Sequence, residues 1–209
     1  NNKLEKLVCG SPYFKLKDKN IPKKFLNTNP IFNIIRELIP NLNFLKIIHD
    51  LLNIANVKNI DFQSSKFIEN SDIFLSLSKS GLRTGKLIKK LKKIYICERA
   101  SSHIIFQNNI LQDEYADLRL PYKPINKWFI DRELEEYENS NFILVPSKFV
   151  EKTFQLQNVY KTKVLNFGSY IDNFFPIQNF KKKADQFNVL FVGGMSIRKG
   201  LHYLIEGFK

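Results

Sequence analysis

Four short apolar runs, separated by segments of helical periodicity, constrain the fold of this chain most strongly. The runs are IFLSL (73–77), IYICE (94–98), FILVPS (142–147) and TKVLNFGS (162–169). Between the first two, KLIKKLKK (86–93) carries its apolar residues on one helical face and lysines elsewhere. Strand, helix, strand is a βαβ unit, and the strands of such units form parallel sheets. The sequence therefore predicts an α/β fold with a doubly wound, Rossmann-like sheet.

Helices are predicted before, between and after these runs. Asn29 followed by Pro30 predicts a helix start with Asn29 as the N-cap. Further helices are predicted around residues 41–53 and 103–118 from their apolar spacing. Ser147 is placed to cap a helix that follows the third run.

The acidic segment FIDRELEEYENS (129–140) predicts a helix with one apolar stripe. Ile130, Leu134 and Tyr137 form that stripe, and charged residues cover the rest of the helix. The glutamates are at positions 133, 135, 136 and 138. No histidine lies three or four residues from them, so we predict solvated charge and not a metal site.

The chain is strongly basic. Its formal net charge is +13, from 33 lysines and arginines against 20 aspartates and glutamates. Such a charge favours polyanionic partners: nucleic acid, anionic lipid headgroups or phosphate-bearing small molecules. Asparagine, lysine, isoleucine and phenylalanine are also abundant together, a bias that A+T-rich coding DNA produces without selection for binding. Both explanations stay open, and GKLIKKLKKIY (85–95) is the stretch that fits a basic amphipathic surface.

Cysteine and histidine usage favours packing over metal binding. Cys9 and Cys97 are too few for a disulfide framework and have no partner at metal-ligand spacing. His49 and His202 lie in apolar helical patterns, and we interpret both as structural. No apolar run is long enough to span a bilayer and the first residues have no signal-peptide core. These features predict a cytoplasmic protein. Peripheral contact with the inner face of a membrane is compatible with this prediction.

The stretch LFVGGMSIRKG (190–200) has the composition of a phosphate-binding turn. A glycine-lined loop between a strand and a helix exposes backbone amides, and adjacent cations add fixed positive charge. The residues in question are Gly193, Gly194, Arg198 and Lys199. The alternative is an ordinary turn with solvated cations, since short glycine patterns are frequent false positives. The chain lacks an initial methionine and its last helical pattern lacks a cap, so we expect an internal piece of a longer protein.

Three stretches, taken in order, resemble the family 4 glycosyltransferases, which are retaining group-1 enzymes with the two-domain GT-B architecture. They are ERASSHI (98–104), VLNFGSYIDNFFP (164–176) and LFVGGMSIRKG (190–200), with VPSKFVEKTF (145–154) between the first two. The resemblance covers the chain from about residue 95 onwards. It implies transfer of a sugar from a nucleoside diphosphate sugar to an acceptor, without a metal ion or other cofactor.

The resemblance also implies a division of the chain. Residues 1–180 would form the acceptor-side domain, incomplete at its start, and residues 181–186 a linker. Residues 187–209 would begin the nucleotide-sugar-binding domain, a second Rossmann-like domain of which only the first strand, FNVLFVGG (187–194), and the first helix, after Gly200, are present. The family holds its donor with a later pair of glutamates, so the 209-residue chain alone is expected to be inactive.

By the same resemblance, Lys199 contacts the donor diphosphate. The family has an arginine directly after the first glycine of this loop, where the present chain has Gly194, and Arg198 is the substitute that the sequence offers. His103 resembles a histidine that lies near the transferring sugar. Its alternative role is that of an N-terminal helix residue with a local hydrogen bond, and the sequence does not decide between the two.

Polar residues around His103 are the acceptor-side candidates. They follow a predicted strand, at the edge where open α/β sheets bind ligands. These candidates are Glu98, Arg99, Ser101 and Ser102. An alternative for the first two is that they pair with each other.

Three functions are compatible with the sequence. The first is the transferase, with a nucleotide-sugar donor, an acceptor that includes the lipid-linked class, and basic residues that dock the protein on a membrane. The second is a basic module that binds nucleic acid or an anionic membrane without transferase activity, with nucleic acid the less favoured ligand. The third is a non-catalytic sugar-nucleotide-binding relative.

Overall fold

A computed structural model of the chain shows two compact units. Unit 1 comprises Asn1–Ile104 and Ile125–Leu165, and unit 2 comprises Ile105–Pro124 and Asn166–Lys209. The predicted linker, residues 181–186, lies outside the described part of the chain, so the predicted domain division stays a prediction. The structure describes residues 3–19, 21–40, 42–168, 171, 175 and 187–208.

Unit 1 contains a four-stranded parallel sheet, which confirms the predicted α/β class with parallel strands. The strands pair in chain order β3-β4-β5-β6. Their bounds are β3 Ile73–Leu77, β4 Ile94–Glu98, β5 Phe142–Val145 and β6 Thr162–Val164. Two shorter strands, β1 Leu7–Cys9 and β2 Leu26–Thr28, form a separate parallel pair.

Seven α-helices are assigned in the described residues of the two units. Those of unit 1 are α1 Ile31–Leu38, α2 Lys46–Ser64, α3 Leu82–Lys90, α5 Lys127–Asn139 and α6 Lys148–Gln155. Helix α4, Ile104–Asp117, crosses the boundary between the units, and α7, Leu201–Glu206, belongs to unit 2.

The predicted helix caps have different outcomes. Ser147 caps α6 as predicted, and its Oγ accepts the Val150 N–H at 3.3 Å. The prediction for Asn29 is wrong, because Pro30 is the N-cap of α1 and makes no side-chain cap. The Asn29 amide instead donates to Asn59 Oδ1 on α2 at 3.4 Å, and this contact holds its side chain away from the helix end.

The core of unit 1 lies on one face of the sheet. Right-handed crossovers between parallel strands that pair in chain order place the helices α3, α5 and α6 of unit 1 on one face of the sheet. That face buries Tyr95, Cys97, Ile143 and Val145, which confirms packing as the role of Cys97. A Cβ added to Gly85 would lie 2.4 Å from the Tyr95 ring, so a glycine lets α3 approach β4 closely. The opposite face is exposed, with Ile73, Leu75, Leu77, Ile94 and Phe142 accessible to solvent.

Unit 2 differs from its prediction at the stretch 187–194, which the sequence predicts to be a strand. None of these residues is assigned to a strand, and none pairs with a strand elsewhere in the described residues. A parallel strand needs neighbours for its backbone groups, so an apolar composition alone does not form one. The predicted helix after Gly200 is present as α7.

Two residues of α7 bind a carboxylate within unit 2. Glu114 contacts the His202 Nε2 atom at 2.8 Å and accepts the Tyr203 hydroxyl at 2.9 Å. His202 thus has a structural contact, as the sequence predicts. Within the described residues, no helix is both long and apolar enough to cross a membrane.

Candidate functional site

The carboxyl ends of the four parallel strands define one edge of the sheet, where the turn 99–103 lies. Strand β4 ends at Glu98 and α4 begins at Ile104, so the polar residues around His103 follow a strand, as predicted. The loop 78–81, which follows β3, reaches the same edge because β3 and β4 pair in register from Ile73 with Ile94 to Leu77 with Glu98. This edge is where open α/β sheets bind ligands.

Arg99 is buried at this edge and connects three parts of it. One guanidinium nitrogen, Nη1, lies 2.8 Å from Glu133 Oε2 on α5 and 3.3 Å from Ser78 Oγ. The Nε atom donates to the Ser102 carbonyl at 3.1 Å, within the same turn. The structure therefore gives Arg99 a carboxylate partner 34 residues away. The predicted alternative was a pair with Glu98, whose side chain follows the open face of β4 by the alternation of strand residues.

Glu133 has no exposed surface and binds several donors. It accepts from Arg99, and the Tyr137 hydroxyl donates to it at 2.6 Å. The Lys79 Nζ atom lies 3.4 Å from its Oε1. A buried carboxylate is stable only with such compensation, since the charge has lost its water.

The prediction of solvated charge along α5 is therefore wrong for two of its glutamates. The buried residues of α5 are Glu133, Glu136 and Tyr137, whereas Leu134 of the predicted apolar stripe is exposed. The helix is oriented with two of its carboxylates in the interior. There the carboxylates bind arginine side chains and backbone N–H groups. No group of three or more potential metal ligands occurs in the described residues.

Glu136 and Asp61 hold the loop that follows β3. Glu136 accepts the backbone N–H groups of Lys79 and Gly81, the second at 2.9 Å. Asp61, on α2, accepts the N–H groups of Arg83 and Thr84 at 2.8 and 2.9 Å, which caps the start of α3 from a distant helix. Burial raises the pKa of Glu136 to about 7, against the lowering effect of its bond to Gly81.

Arg132 links the two carboxylates. Its Nη2 atom donates to Asp61 Oδ2, and its Nε atom lies 3.6 Å from Glu136 Oε1. The arginine is also stacked over the Trp128 ring, 5.3 Å from its centroid. Four parts of the sequence, α2, the loop after β3, α3 and α5, are thereby connected by one ionic network.

Lys79 also lies at this edge, and it is not among the site residues predicted from the sequence. Its φ is +80°, a left-handed conformation that is uncommon for a residue with a side chain. Its partly exposed Nζ lies near Glu133 and 5.3 Å from the Phe129 ring centroid. Strained backbone clusters at functional sites, and the polar loop SKSG directly after a strand was the available signal.

His103 is buried at the start of α4. Its backbone N–H donates to Thr153 Oγ1 at 3.0 Å, and its ring lies against Tyr137 and Phe154, with centroids 5.2 and 4.9 Å apart. Burial, followed by the charge of Arg99, lowers the pKa of His103 to about 4. The imidazole is therefore neutral near neutral pH, and a neutral imidazole both donates and accepts a hydrogen bond.

The remaining predicted site residues lie in two separate parts of the structure. Ser101 and Ser102 are partly exposed in the turn beside Arg99, together with Glu98. In unit 2, Gly193 and Gly194 precede a short 3-10 turn, Ile197–Lys199, and Gly200 follows it in a left-handed conformation with φ +70°. The side chains of Arg198 and Lys199 are exposed there.

The structure thus brings together the residues of the turn 99–103, and it adds Lys79 and Glu133 to them. The glycine-rich stretch 193–199 belongs to the other unit and is described separately. Comparison with known proteins adds no family: no family model, no curated protein and no solved structure matches this chain.

Proposed function

We propose that this chain is part of a retaining glycosyltransferase of the family 4 type, with GT-B architecture. Residues 1–180 supply the acceptor side, and residues 187–209 begin the donor side. The observation that carries the proposal is the turn 99–103. It sets a buried arginine, two serines and a neutral histidine at the carboxyl edge of a parallel sheet. The first of the three family-like stretches forms this turn, and the other two follow it in order along the chain.

The donor is a nucleoside diphosphate sugar. Negative charge grows on the leaving diphosphate during transfer, and fixed cations and amides stabilise that charge. Lys199 and Arg198 supply exposed cations, and Gly193 and Gly194 supply backbone amides without a side chain in the way. No metal ion is required, because two adjacent cations can take its electrostatic role.

The acceptor hydroxyl binds at the turn 99–103 of the acceptor side. We place His103, neutral at working pH and buried against Tyr137 and Phe154, beneath the transferring sugar, where it supports the turn that contacts the sugar. Ser101, Ser102 and Glu98 contact the acceptor, and Arg99 fixes the shape of their turn through the Ser102 carbonyl. Lys79 adds a partly exposed cation at this edge.

Titration of the chain with a panel of uridine, guanosine and adenosine diphosphate sugars tests the proposal. Calorimetry or ligand-observed NMR should detect saturable binding of at least one member. Lys199→Ala should weaken it about tenfold, the loss of one charge-assisted contact. The matched control is Lys89→Ala, which removes an exposed cation of α3 and should leave binding unchanged.

Other results would contradict the proposal. Binding of none of the sugar nucleotides, or equal losses in both variants, would remove the donor site from residues 193–199. Salt-dependent binding to duplex DNA without sugar-nucleotide binding would favour the basic module instead.

A further inference from the structure

An open groove lies between helices α3 and α5 of unit 1. Leu82, Arg83, Lys86 and Leu87 line it from the first two turns of α3, and Arg132 lines it from α5. Its volume is about 300 Å³, which is the lower end of the range typical of small-molecule sites in proteins. We call the space that these five residues line the α3–α5 groove.

The α3–α5 groove combines an apolar surface with positive charge. Leu82 and Leu87 are partly exposed in it, and three of its five lining residues are cationic. Sites for small molecules are mostly apolar, with a few charged groups that fix the orientation of the ligand. This lining therefore fits a small molecule that has an organic part and an anionic group.

Arg83 is the cation most available to a ligand. Its side chain is exposed, and it forms no ion pair within the part of the chain that the structure describes. The guanidinium lies over the Phe62 ring of α2, 5.2 Å from the ring centroid. Stacking on a ring restricts the arginine before a ligand arrives, so less side-chain entropy is lost on binding.

The other two cations differ in how firmly they are held. Lys86 is paired with Glu135, but the two side chains are 43% and 44% exposed. Such a pair is worth less than about 1 kcal/mol, so an anionic ligand can compete with Glu135 for the ammonium group. Arg132 is only 10% exposed and is fixed by Asp61 and by the Trp128 ring.

The carboxylates near the α3–α5 groove leave its outer surface positive. Asp61 and Glu136 are buried and accept backbone N–H groups as well as the charge of Arg132. On the exposed side, Arg83 and Lys86 face the single carboxylate of Glu135. The Arg83 N–H is already bound to Asp61, so a ligand is held here by side chains and not by the helix start.

We propose that the α3–α5 groove binds a soluble organic phosphate. The Arg83 guanidinium donates parallel hydrogen bonds to the phosphate oxygens, and the Lys86 ammonium donates a further one. The organic part of the ligand lies against Leu82 and Leu87. This inference is independent of the transferase proposal, because it uses none of the residues proposed to contact the donor or the acceptor.

Titration of the chain with phenyl phosphate tests the inference. Inorganic phosphate and phenol are the comparison probes, since each carries one half of phenyl phosphate. Calorimetry should show saturable binding of phenyl phosphate and at least about tenfold weaker binding of the other two. The NMR signal of the Arg83 Nε–H group should shift during the titration with phenyl phosphate.

Two variants of the groove should change this binding in opposite directions. Arg83→Gln should weaken the binding of phenyl phosphate at least about tenfold, because a charge-assisted contact is lost. Glu135→Gln should tighten it about threefold, because Lys86 loses the carboxylate that competes with the ligand. Circular dichroism checks that both variants remain folded.

Matched controls separate the groove from general charge effects and from the donor site. Lys89→Gln and Glu138→Gln each change one exposed charge of α3 or α5 outside the groove and should bind phenyl phosphate like the parent chain. Lys199→Ala should also leave this binding unchanged, whereas Arg83→Gln should leave sugar-nucleotide binding unchanged.

Three results would overturn the inference. The first is equal binding of phenyl phosphate and inorganic phosphate. The second is an equal loss in Arg83→Gln and Lys89→Gln, or in Lys199→Ala. The third is binding to vesicles with phosphatidic acid that depends on Arg83 while phenyl phosphate does not bind, since a lipid headgroup would then be the ligand.

Discussion

Helices α1 and α5 of the same unit break the usual rule of burial in opposite ways. Helix α5 buries the carboxylates of Glu133 and Glu136, whereas α1 exposes Ile34 and Leu38. Each inversion has a local cause. The glutamates meet arginines and backbone amides in the interior, and the polar side of α1 meets the polar side of α2. The comparison teaches that partners, and not residue class alone, decide which face of a helix is buried.

The largest expected effect concerns the buried carboxylate of α5. Glu133→Ala leaves the Arg99 charge buried without its partner, so the free energy of unfolding should fall by about 3 to 5 kcal/mol. Urea denaturation measures the change. Glu135→Ala is the matched control, since its pair with Lys86 is half exposed and its loss should cost less than about 1 kcal/mol. Similar losses in both variants would show that burial does not distinguish these glutamates.

A somewhat smaller effect is expected at the cap of α3. Asp61→Ala removes the acceptor of two N–H groups and the partner of Arg132, so the free energy of unfolding should fall by about 3 kcal/mol. Hydrogen exchange should show the loss first in the amides of Arg83 and Thr84. Unchanged protection of these two amides would contradict the assignment of Asp61 as the cap.

The pH dependence of stability separates two buried groups. The pKa of His103 is lowered to about 4 from 6.5, so the unfolded state binds more protons between these values. The contribution of His103 to the free energy of unfolding is present above pH 6.5 and is lost as the pH falls towards 4. The pKa of Glu136 is raised to about 7 from 4.5, so its contribution is present below pH 4.5 and is lost as the pH rises towards 7. The two effects oppose each other in the parent chain.

Single variants isolate each effect. In Glu136→Gln only the histidine effect remains, and stability should fall by about 2 kcal/mol between about pH 7 and about pH 5. In His103→Gln the remaining glutamate should make stability rise over the same change. Thermal denaturation across this range measures both slopes, and slopes of the same sign in the two variants would contradict the assignments.

The smallest effect is expected on the exposed side of α1. Leu38→Gln should change the free energy of unfolding by less than about 0.5 kcal/mol, because little apolar area is buried there. Ile88→Ala, on the buried side of α3, should cost about 2 to 4 kcal/mol in the same urea experiment. A large loss in Leu38→Gln would mean that α1 is oriented with its apolar stripe inward.

The sequence predicts the sheet of unit 1 well, because short apolar runs that alternate with helical segments are typical of the buried strands of a parallel sheet. The bounds of β3 and β4 agree with the runs at 73–77 and 94–98. The interior of α5 is not predictable in this way. Arg99 lies 34 residues before Glu133, and only the fold brings the two together. Residues 187–194 show the converse, since their composition suits a strand but none of the described residues pairs with them.

The candidate site is predicted in part. The turn 99–103 was identifiable because polar residues after a buried strand mark the ligand edge of a parallel sheet. Lys79 was not identified, since a left-handed lysine has no sequence signature as clear as that of glycine. The orientation of α1 was also not identifiable, because a regular apolar stripe does not say whether protein or another medium covers it.

The loop after β3 has a consequence for ligand choice. In many doubly wound folds, the amides of such a turn receive a ligand phosphate. Here the amides of Lys79, Gly81, Arg83 and Thr84 are already engaged by the carboxylates of Glu136 and Asp61. The chain thus places its own carboxylates where a nucleotide phosphate would otherwise be bound, so these four amides are not free to hold a phosphate.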